Sequence, residues 1–561
     1  MREYKKQSFL TPFFVILEVF MEVLIPLEMA KIIDVGIANG NLNYIIQRGI
    51  ILVAMAMLAL FFGVTAGNMA AVAAAGYSKN LRHDIFYKIQ QFSFKNIDHF
   101  STSGLVTRMT TYMMSIRLLA RAPIMIILSW VMTLALNKTV AMLFLIVIPL
   151  LGGTLIFIAK KAHPHFIKVF DEYDVLNNSV QENVNASRVV KAFVREDYEI
   201  DKFHIISKYV YSLFTKAEKI VAWNSPVMQF TMYVVILVIV AIGGNSIVTG
   251  TMQTGELTSI IVYSLQILMS LMMVTFVFVM IMIAEASTDR IAEVLNEEPE
   301  MQDSDDAVKD VANGEIIFDH VNFSYAGKDG TLSLKDVCLH IQSGQTIGII
   351  GGTGSAKSTL VQLIPRLYDV TGGAVKVGGV DVRNYNLEAL RDQVSMVLQK
   401  NVLFSGTIYE NIRWGNESAT DEEVQNVCKL AQADGFVQEF PNGYNTQIVQ
   451  GGNNVSGGQK QRLCIARALL KKPKILILDD STSAVDTKTD ALIRKAFREE
   501  IPDTTKIIIA QRVSSIEDAD QIIVLDDGKI TGIGTSKELL KTNEIYREVY
   551  ESQVKGGAEN E

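Results

Sequence analysis

The sequence predicts two folds in one chain: an all-α membrane half of six spanning helices, then an α/β domain. Three observations carry this. The long apolar runs lie almost entirely between residues 10 and about 285. Lys and Arg collect in only some of the connections between those runs. Beyond residue 313 the apolar runs shrink to strand length, and one of them opens into a glycine-rich turn. The chain has 561 residues, 49% hydrophobic and 20% charged, which fits only if the apolar residues are concentrated in one part. That length is too great for one domain. The predicted division is a membrane domain with six helices and two long connecting loops over 1–296, a linker over 297–312 and an α/β domain over 313–561.

A membrane helix needs roughly 20 apolar residues, because the hydrocarbon is about 30 Å thick and the helix rises about 1.5 Å per residue. Six segments qualify: 11–33, 49–76, 120–136, 139–159, 225–249 and 256–284. The third is the shortest, with its apolar stretch running from Ala122 to Leu136. Basic residues set the orientation. Residues 77–121 carry Lys79, Arg82, Lys88, Lys95, Arg108, Arg117 and Arg121. Residues 160–220 carry ten more, from Lys160 to Lys219, whereas 245–255 carries none. Both long connections, both termini and the C-terminal domain are therefore predicted cytoplasmic, with the chain multi-pass in the cell membrane. The connections hold few Gly or Pro, so the helices are predicted to continue beyond the bilayer. Arg2, Lys5 and Lys6 precede the first run, but no small-residue cleavage site follows it, so no cleaved leader is predicted.

The formal net charge of −8 argues against a nucleic-acid partner. Cys338, Cys428 and Cys464 lie far apart without metal-ligand spacing and read as reduced cytosolic thiols. Glu18 and Glu22 share one face of the first span. Either they attract a cationic substrate, or they form a fold-specific pair with polar partners on neighbouring helices or contact headgroups near the cytosolic end. The sixth span carries Met269, Met272, Met273, Met280 and Met282 with Gln266, Phe276 and Phe278. These suit an adaptable binding surface or ordinary lipid contact. Asn224 and Gln229 are cavity candidates in the fifth span.

Residues 297–312 are acidic and poor in apolar side chains, as a linker is. An alternating strand pattern follows from Glu315 to Phe323. Thr346 to Ile350 reads as a buried strand that feeds Gly351, Gly352, Thr353, Gly354, Ser355, Ala356, Lys357, Ser358 and Thr359. Such a turn lets backbone N–H groups converge on phosphate, and the helix N-terminus adds favourable potential. Lys357 is placed to neutralise the β and γ phosphates, and the Ser358 hydroxyl to ligate Mg²⁺. The strict pattern has Gly where Ala356 stands. A second buried strand, Lys474 to Leu478, ends in Asp479 and Asp480, and puts Asp479 beside the metal. Together these give a P-loop NTPase domain that takes ATP and Mg²⁺.

Val455-Ser456-Gly457-Gly458-Gln459-Lys460-Gln461-Arg462 resembles the signature motif of ATP-binding cassette (ABC) proteins, with Val for the usual Leu. Tyr325 resembles the aromatic that stacks on adenine. Gln399 resembles the Q-loop glutamine that touches Mg²⁺ and the membrane domain. Ser483-Ala484-Val485-Asp486 resembles the D-loop. The stretch from Gln181 to Phe193 is similar to the second intracellular loop of ABC exporters. The resemblance covers essentially the whole chain and implies a half-transporter that works as a dimer. It implies that Ser456, Gly457, Gly458 and Gln459 contact the ATP held by a partner's P-loop. It also implies that segments near 95–110 and 185–205 carry cassette closure to the membrane helices.

Departures from the family fall on the chemistry. The family ends its second strand in Asp-Glu, and the Glu polarises water; here Asp480 stands in its place. A carboxylate one methylene shorter stops roughly 1.5 Å back, and a misplacement of about 1 Å can cost about 10²-fold in rate. The family's switch histidine is replaced by Gln511, which carries no charge near neutrality. No histidine follows His340. Val449 and Gln450 stand where exporters usually have Gly-Glu. With the signature intact, the pattern resembles the degenerate half of a heterodimeric bacterial multidrug exporter. The expected partners are a second ABC half-transporter, membrane lipids and a small amphipathic substrate. The alternatives are a lipid or peptide flippase of the same fold, an ATP-gated channel or regulator, or an active homodimer that tolerates Asp480 and Gln511.

Overall fold

The computed structural model describes residues 2–100, 116–304, 306–327, 330–481 and 484–558. It divides into two compact units, Met1–Gln90 with Ser101–Glu297, and Gln91–Phe100 with Glu298–Glu561.

The first unit is helical. It holds α1 (Lys5–Lys31) and α2 (Leu42–Gln90), and after α3 (Phe94–His99), which belongs to the second unit, α4 (Ile116–Leu136) and α5 (Lys138–Asn185). A short α6 (Ser187–Ala192) leads to α7 (Glu196–Val221), α8 (Asn224–Val248) and α9 (Thr254–Asn296). Among the described residues, six runs are long and apolar enough to cross a membrane: Arg2–Ile37, Leu42–Gln90, Leu119–Leu136, Lys138–Asn185, Glu196–Val248 and Thr254–Ile281. Each predicted span falls on one of them. Helix α2 has 49 residues, about 75 Å of helix against about 30 Å of hydrocarbon. Helices α2 and α5 thus outrun any bilayer, as the scarcity of breakers in the connections predicts.

Hydroxyls on α9 satisfy carbonyls of α1 in the turn that holds Pro26. Ser259 Oγ donates to the Pro26 carbonyl at 2.6 Å and the Tyr263 hydroxyl to Val23 at 2.7 Å. In lipid such backbone groups have no water to turn to. Arg121 of α4 reaches both acids of α1, at 2.5 Å from Glu18 and 2.7 Å from Glu22. Of the readings of these acids, the structure favours a pair held by a neighbouring helix. Gln266 accepts a hydrogen bond from Ser129 at 3.1 Å, so it too serves helix packing. Met269, Met272 and Phe276 are exposed. The side chain of Met282 lies outside the described residues, as do Arg108 and the side chain of Arg117.

The second unit contains two main sheets. The strands are β1 (Ile316–Phe323), β2 (Leu334–Ile341), β3 (Thr346–Ile350), β4 (Gly372–Val377), β5 (Val380–Asp381), β6 (Val394–Val397), β7 (Gly406–Thr407), β8 (Gln447–Ile448), β9 (Ile475–Asp479), β10 (Thr505–Ile509), β11 (Gln521–Asp526) and β12 (Lys529–Gly534). Sheet order β12-β11-β3-β10-β9-β6 is parallel except at its β12 edge. The other sheet, β2-β1-β4-β5, is antiparallel. Its β1 turns Ile316, Phe318, Val321 and Phe323 inward, where they meet Ile347, Ile349, Ile477 and Ile507 of the parallel sheet. Helix α10 (Lys357–Gln362) follows β3, and α11 (Leu387–Gln393) precedes β6. A helical layer is formed by α12 (Ile408–Arg413), α13 (Asp421–Leu430), α14 (Asp434–Glu439) and α15 (Gly457–Leu470). Then come α16 (Thr487–Glu500), α17 (Ser536–Thr542) and α18 (Glu544–Ala558).

Helix α3 packs with this unit. Ser93 caps it through a reciprocal pair with Asn96, and Asn96 Nδ2 donates to the Glu298 carbonyl at 3.2 Å. Lys95 pairs with Glu300, and the Phe94 ring meets Tyr368 at 6.1 Å. The part of the expected 95–110 extension beyond Phe100 lies outside the described residues.

Candidate nucleotide site

Strand β3 runs between β11 and β10 in the parallel sheet, and its C-terminal end delivers the glycine-rich turn. Gly351 cannot carry a side chain, because a Cβ there would lie 2.1 Å from the Leu525 carbonyl oxygen. Gly352 and Gly354 face open space, the concavity that a phosphate needs. Ala356 stands at φ +71°, a left-handed conformation. That is the physical reason the strict pattern places Gly there; here the Ala methyl packs on the core beneath.

Lys357 opens α10 and folds its ammonium back over the loop. Its Nζ donates to the carbonyls of Gly351 and Gly352, each at 2.8 Å, and to Ser355 Oγ at 3.3 Å. Burial lowers its pKa, opposed by the charges of Asp479 and Asp480. Phosphate oxygens can replace those carbonyls and carry the charge that an ammonium prefers.

The Ser358 hydroxyl donates to Asp479 Oδ1 at 2.9 Å. Strand β9 holds Asp479 next to Ile509 of β10 and almost fully buried. Burial pushes its carboxyl above the usual range, with Ser358 and Lys357 pulling the other way. A buried carboxylate and a hydroxyl already in contact form an all-oxygen donor pair that fits Mg²⁺.

Asp480 turns off the strand at φ +50°. Its Oδ2 accepts a hydrogen bond from Gln511 Nε2 at 2.7 Å, and the Gln399 side chain bonds it as well. Burial raises its pKa, and those two amides oppose the rise. The two residues that depart most from the family are thus bonded to each other.

Tyr325 follows β1. Its ring meets Phe323 edge-on at 4.8 Å and Tyr368 at 5.2 Å, and its hydroxyl shares a hydrogen bond with Thr359 Oγ1 at 3.1 Å. The ring remains 47% exposed, enough surface for a base to stack on.

These groups line one open pocket of about 690 Å³: Tyr325, Gly351 to Thr359, Gln399, Asp479, Asp480 and Gln511. Sequence reasoning missed Leu332, Ser333, Asp527, Gly528 and Val549, which also line it. They arrive from three distant segments and belong to no motif. It also missed Gln553 of α18. Gln553 Nε2 donates to the Gln511 carbonyl at 2.8 Å, and Gln553 Oε1 accepts from the Val513 N–H at 2.8 Å.

The signature is not part of this pocket; among the described residues, Ser456 to Gln459 line none of it. Ser456 caps α15, accepting from the Gln459 N–H, while Gln459 Oε1 accepts from the Ser456 N–H at 2.9 Å. Gly457 and Gly458 let the first turn pack closely on Ala484, and a Cβ on Gly458 would lie 2.8 Å from its carbonyl oxygen. Ala484 N–H donates to Gln461 Oε1 at 3.1 Å, tying the signature helix to the D-loop. Ser483 lies outside the described residues.

Comparison with known proteins places these features. Residues 8–271 match the family described as ABC transporter transmembrane region, and residues 334–483 match the family described as ABC transporter. The chain is 37% identical over 98% of its length to YfiB of Bacillus subtilis, an uncharacterized ABC transporter ATP-binding protein that is itself covered over 98%. It is 34% identical to an ATP-dependent lipid A-core flippase of Desulfotalea psychrophila, over 74% of this chain and 73% of that one. Its fold is similar to that of a bacterial Atm1-family ABC exporter with ATP bound, with a TM-score of 0.85, 22% identity and coverage of 98% and 99%. The cassette makes the chain an ATPase coupled to transport. With membrane region and cassette matched in order, and a relative more than one third identical from end to end, this chain belongs to the ABC transporter family as a half-transporter that carries both parts in one polypeptide.

Proposed function

We propose that this chain is the low-hydrolysis half of a heterodimeric exporter of drugs or other amphipathic molecules. The observation that carries this is the Asp480–Gln511 hydrogen bond. A general base must hold a free lone pair toward the attacking water. Here one acceptor position of the short carboxylate is taken by a neutral amide, and Gln511, uncharged, stands where the family's switch histidine would hold the γ-phosphate. Lys357, Ser355 and the loop N–H groups bind ATP, Tyr325 stacks on adenine, and Ser358, Asp479 and Gln399 hold Mg²⁺. The metal, when bound, neutralises phosphate charge. The intact signature, Ser456 to Gln459, completes the ATP site of a partner that carries its own Glu and His.

The surface supports a partner. Around α6, Val189, Phe193 and Val194 are strongly exposed. In the second unit a groove of about 350 Å³ is lined by Val402, Phe404 and Trp414, the last two stacked at 4.0 Å. In the dimer, the apolar knob of one chain fills the groove of the other, and cassette closure moves the membrane helices. The working division is 1–296, 297–312 and 313–561, in the cell membrane with cassette and termini cytoplasmic. Lipid flipping is the second reading, favoured by the name of the Desulfotalea relative.

The test is nucleotide occupancy per chain, after vanadate trapping in the complex. The partner's site is expected to trap ADP while this chain's site retains ATP. Equal trapping at both sites overturns the proposal.

A further inference from the structure

Away from the nucleotide pocket, two complementary β-bulges on the β1–β2 pair gather three metal-ligating side chains. Phe318 pairs with Leu339 and Val321 with Val337, so Asp319 and His320 together face Cys338. From Val321 to Phe323 the excess reverses, with Asn322 facing Lys335 and Asp336. Bulges re-aim side chains. His320 and Asp336 sit at φ +48° and +51°, and both join Cys338 on the solvent face. Asn322 braces the arrangement: its Oδ1 accepts from the Asp336 N–H at 3.0 Å and its Nδ2 donates to the His320 carbonyl at 3.4 Å. Gly373 of β4 approaches the same carbonyl so closely that a Cβ there would lie 2.2 Å from it.

The ligand atoms are His320 Nδ1, Asp336 Oδ1 and Cys338 Sγ, all within 4.8 Å of one another. The N···O separation is 2.7 Å and the N···S separation 3.5 Å. Around tetrahedral Zn²⁺ the bond lengths require roughly 3.5 Å for N···S and roughly 3.3 Å for N···O. The first is already met, and the second needs one exposed carboxylate to swing by about half an ångström. Asp319 adds negative potential on the same side.

We propose that His320, Asp336 and Cys338 form a surface site for Zn²⁺ or a similar borderline-soft divalent cation, with water as the fourth ligand. The mixed N, O and S donors select against Mg²⁺ and Ca²⁺, which take oxygen. Binding requires a neutral imidazole and a thiolate, so protons leave for the solvent. Three exposed ligands set affinity in the micromolar range rather than that of a closed structural site. The segment joining β1 to β2 also carries Tyr325, Leu332 and Ser333 of the nucleotide pocket.

The test uses the detergent-solubilised full chain without nucleotide and Co²⁺ as probe. One equivalent is expected to give a thiolate-to-cobalt charge-transfer band that Zn²⁺ displaces. The band is expected to vanish in Cys338→Ser and in His320→Ala, and binding to weaken about tenfold in Asp336→Asn. In unmodified protein, Zn²⁺ in large excess over the micromolar dissociation constant is expected to slow maleimide labelling of Cys338 at least tenfold, while Mg²⁺ leaves it unchanged. No charge-transfer band, a band that survives Cys338→Ser, or labelling indifferent to Zn²⁺ overturns the proposal.

Discussion

Gln511 Nε2 donates to Asp480 Oδ2 at 2.7 Å, so the residue in the switch position spends its amide on the residue in the base position. The bond joins the two positions at which this sequence departs from the family pattern. Asp480 is one methylene shorter than the Glu of the family pattern, and one of its carboxylate oxygens is engaged by Gln511.

Lengthening the acid alone leaves Gln511 attached to it. Asp480→Glu is therefore expected to raise ATP turnover only modestly, and Asp480→Glu with Gln511→His to raise it about 10²-fold. Steady-state phosphate release from the purified chain measures both. Equal rates in the single and double variants would sink the coupling between the two positions.

The backbone at Ala356 is strained by the P-loop it belongs to. A left-handed L-residue costs roughly 1–2 kcal/mol, and Gly gives back roughly 0.5–1 of that as lost chain freedom. Ala356→Gly is expected to stabilise the cassette by about 0.5–1 kcal/mol and to leave ATP affinity intact or improved. Calorimetric unfolding with and without nucleotide tests this; a destabilised variant would show that the methyl's packing outweighs the strain.

The buried thiols give a prediction in pH. Burial raises Cys428 to about 12 and raises Cys464 as well. A raised pKa keeps the unreactive thiol form through neutral and mildly alkaline pH, because the thiolate is the nucleophile. Between pH 7 and 9, alkylation of the folded chain is expected to stop at Cys338, which is exposed, with all three cysteines reacting after unfolding. Mass spectrometry of labelled peptides decides it.

Arg121, itself partly exposed, joins the buried Glu18 and the partly exposed Glu22 of α1. Arg121→Met leaves both without that partner and is expected to cost about 2 kcal/mol. Adding Glu18→Gln and Glu22→Gln is expected to recover much of the loss. Thermal unfolding in nanodiscs reads this, and a triple variant no better than the single one would contradict the clamp.

Contiguous signals were legible in the sequence. The spans show as runs, the P-loop as nine consecutive residues, and the Asp479–Asp480 carboxylates as a strand end, because each is set by local chain geometry. Relationships between distant segments were not legible. Nothing in the order of residues announces that Arg121 clamps Glu18 and Glu22, or that Gln553 brackets the loop after Gln511. His320, Asp336 and Cys338 escaped notice for another reason: strand alternation aims them only after two bulges shift the register. The cysteines, read by spacing alone, offered no ligand set.

The most direct measurement is the ATPase rate of the purified chain with no second half-transporter, before and after Asp480→Asn. A low rate that the substitution leaves unchanged is the expected result. An ordinary exporter rate that falls about 10²-fold on the substitution would show that Asp480 activates water, and would contradict the proposed low-hydrolysis site.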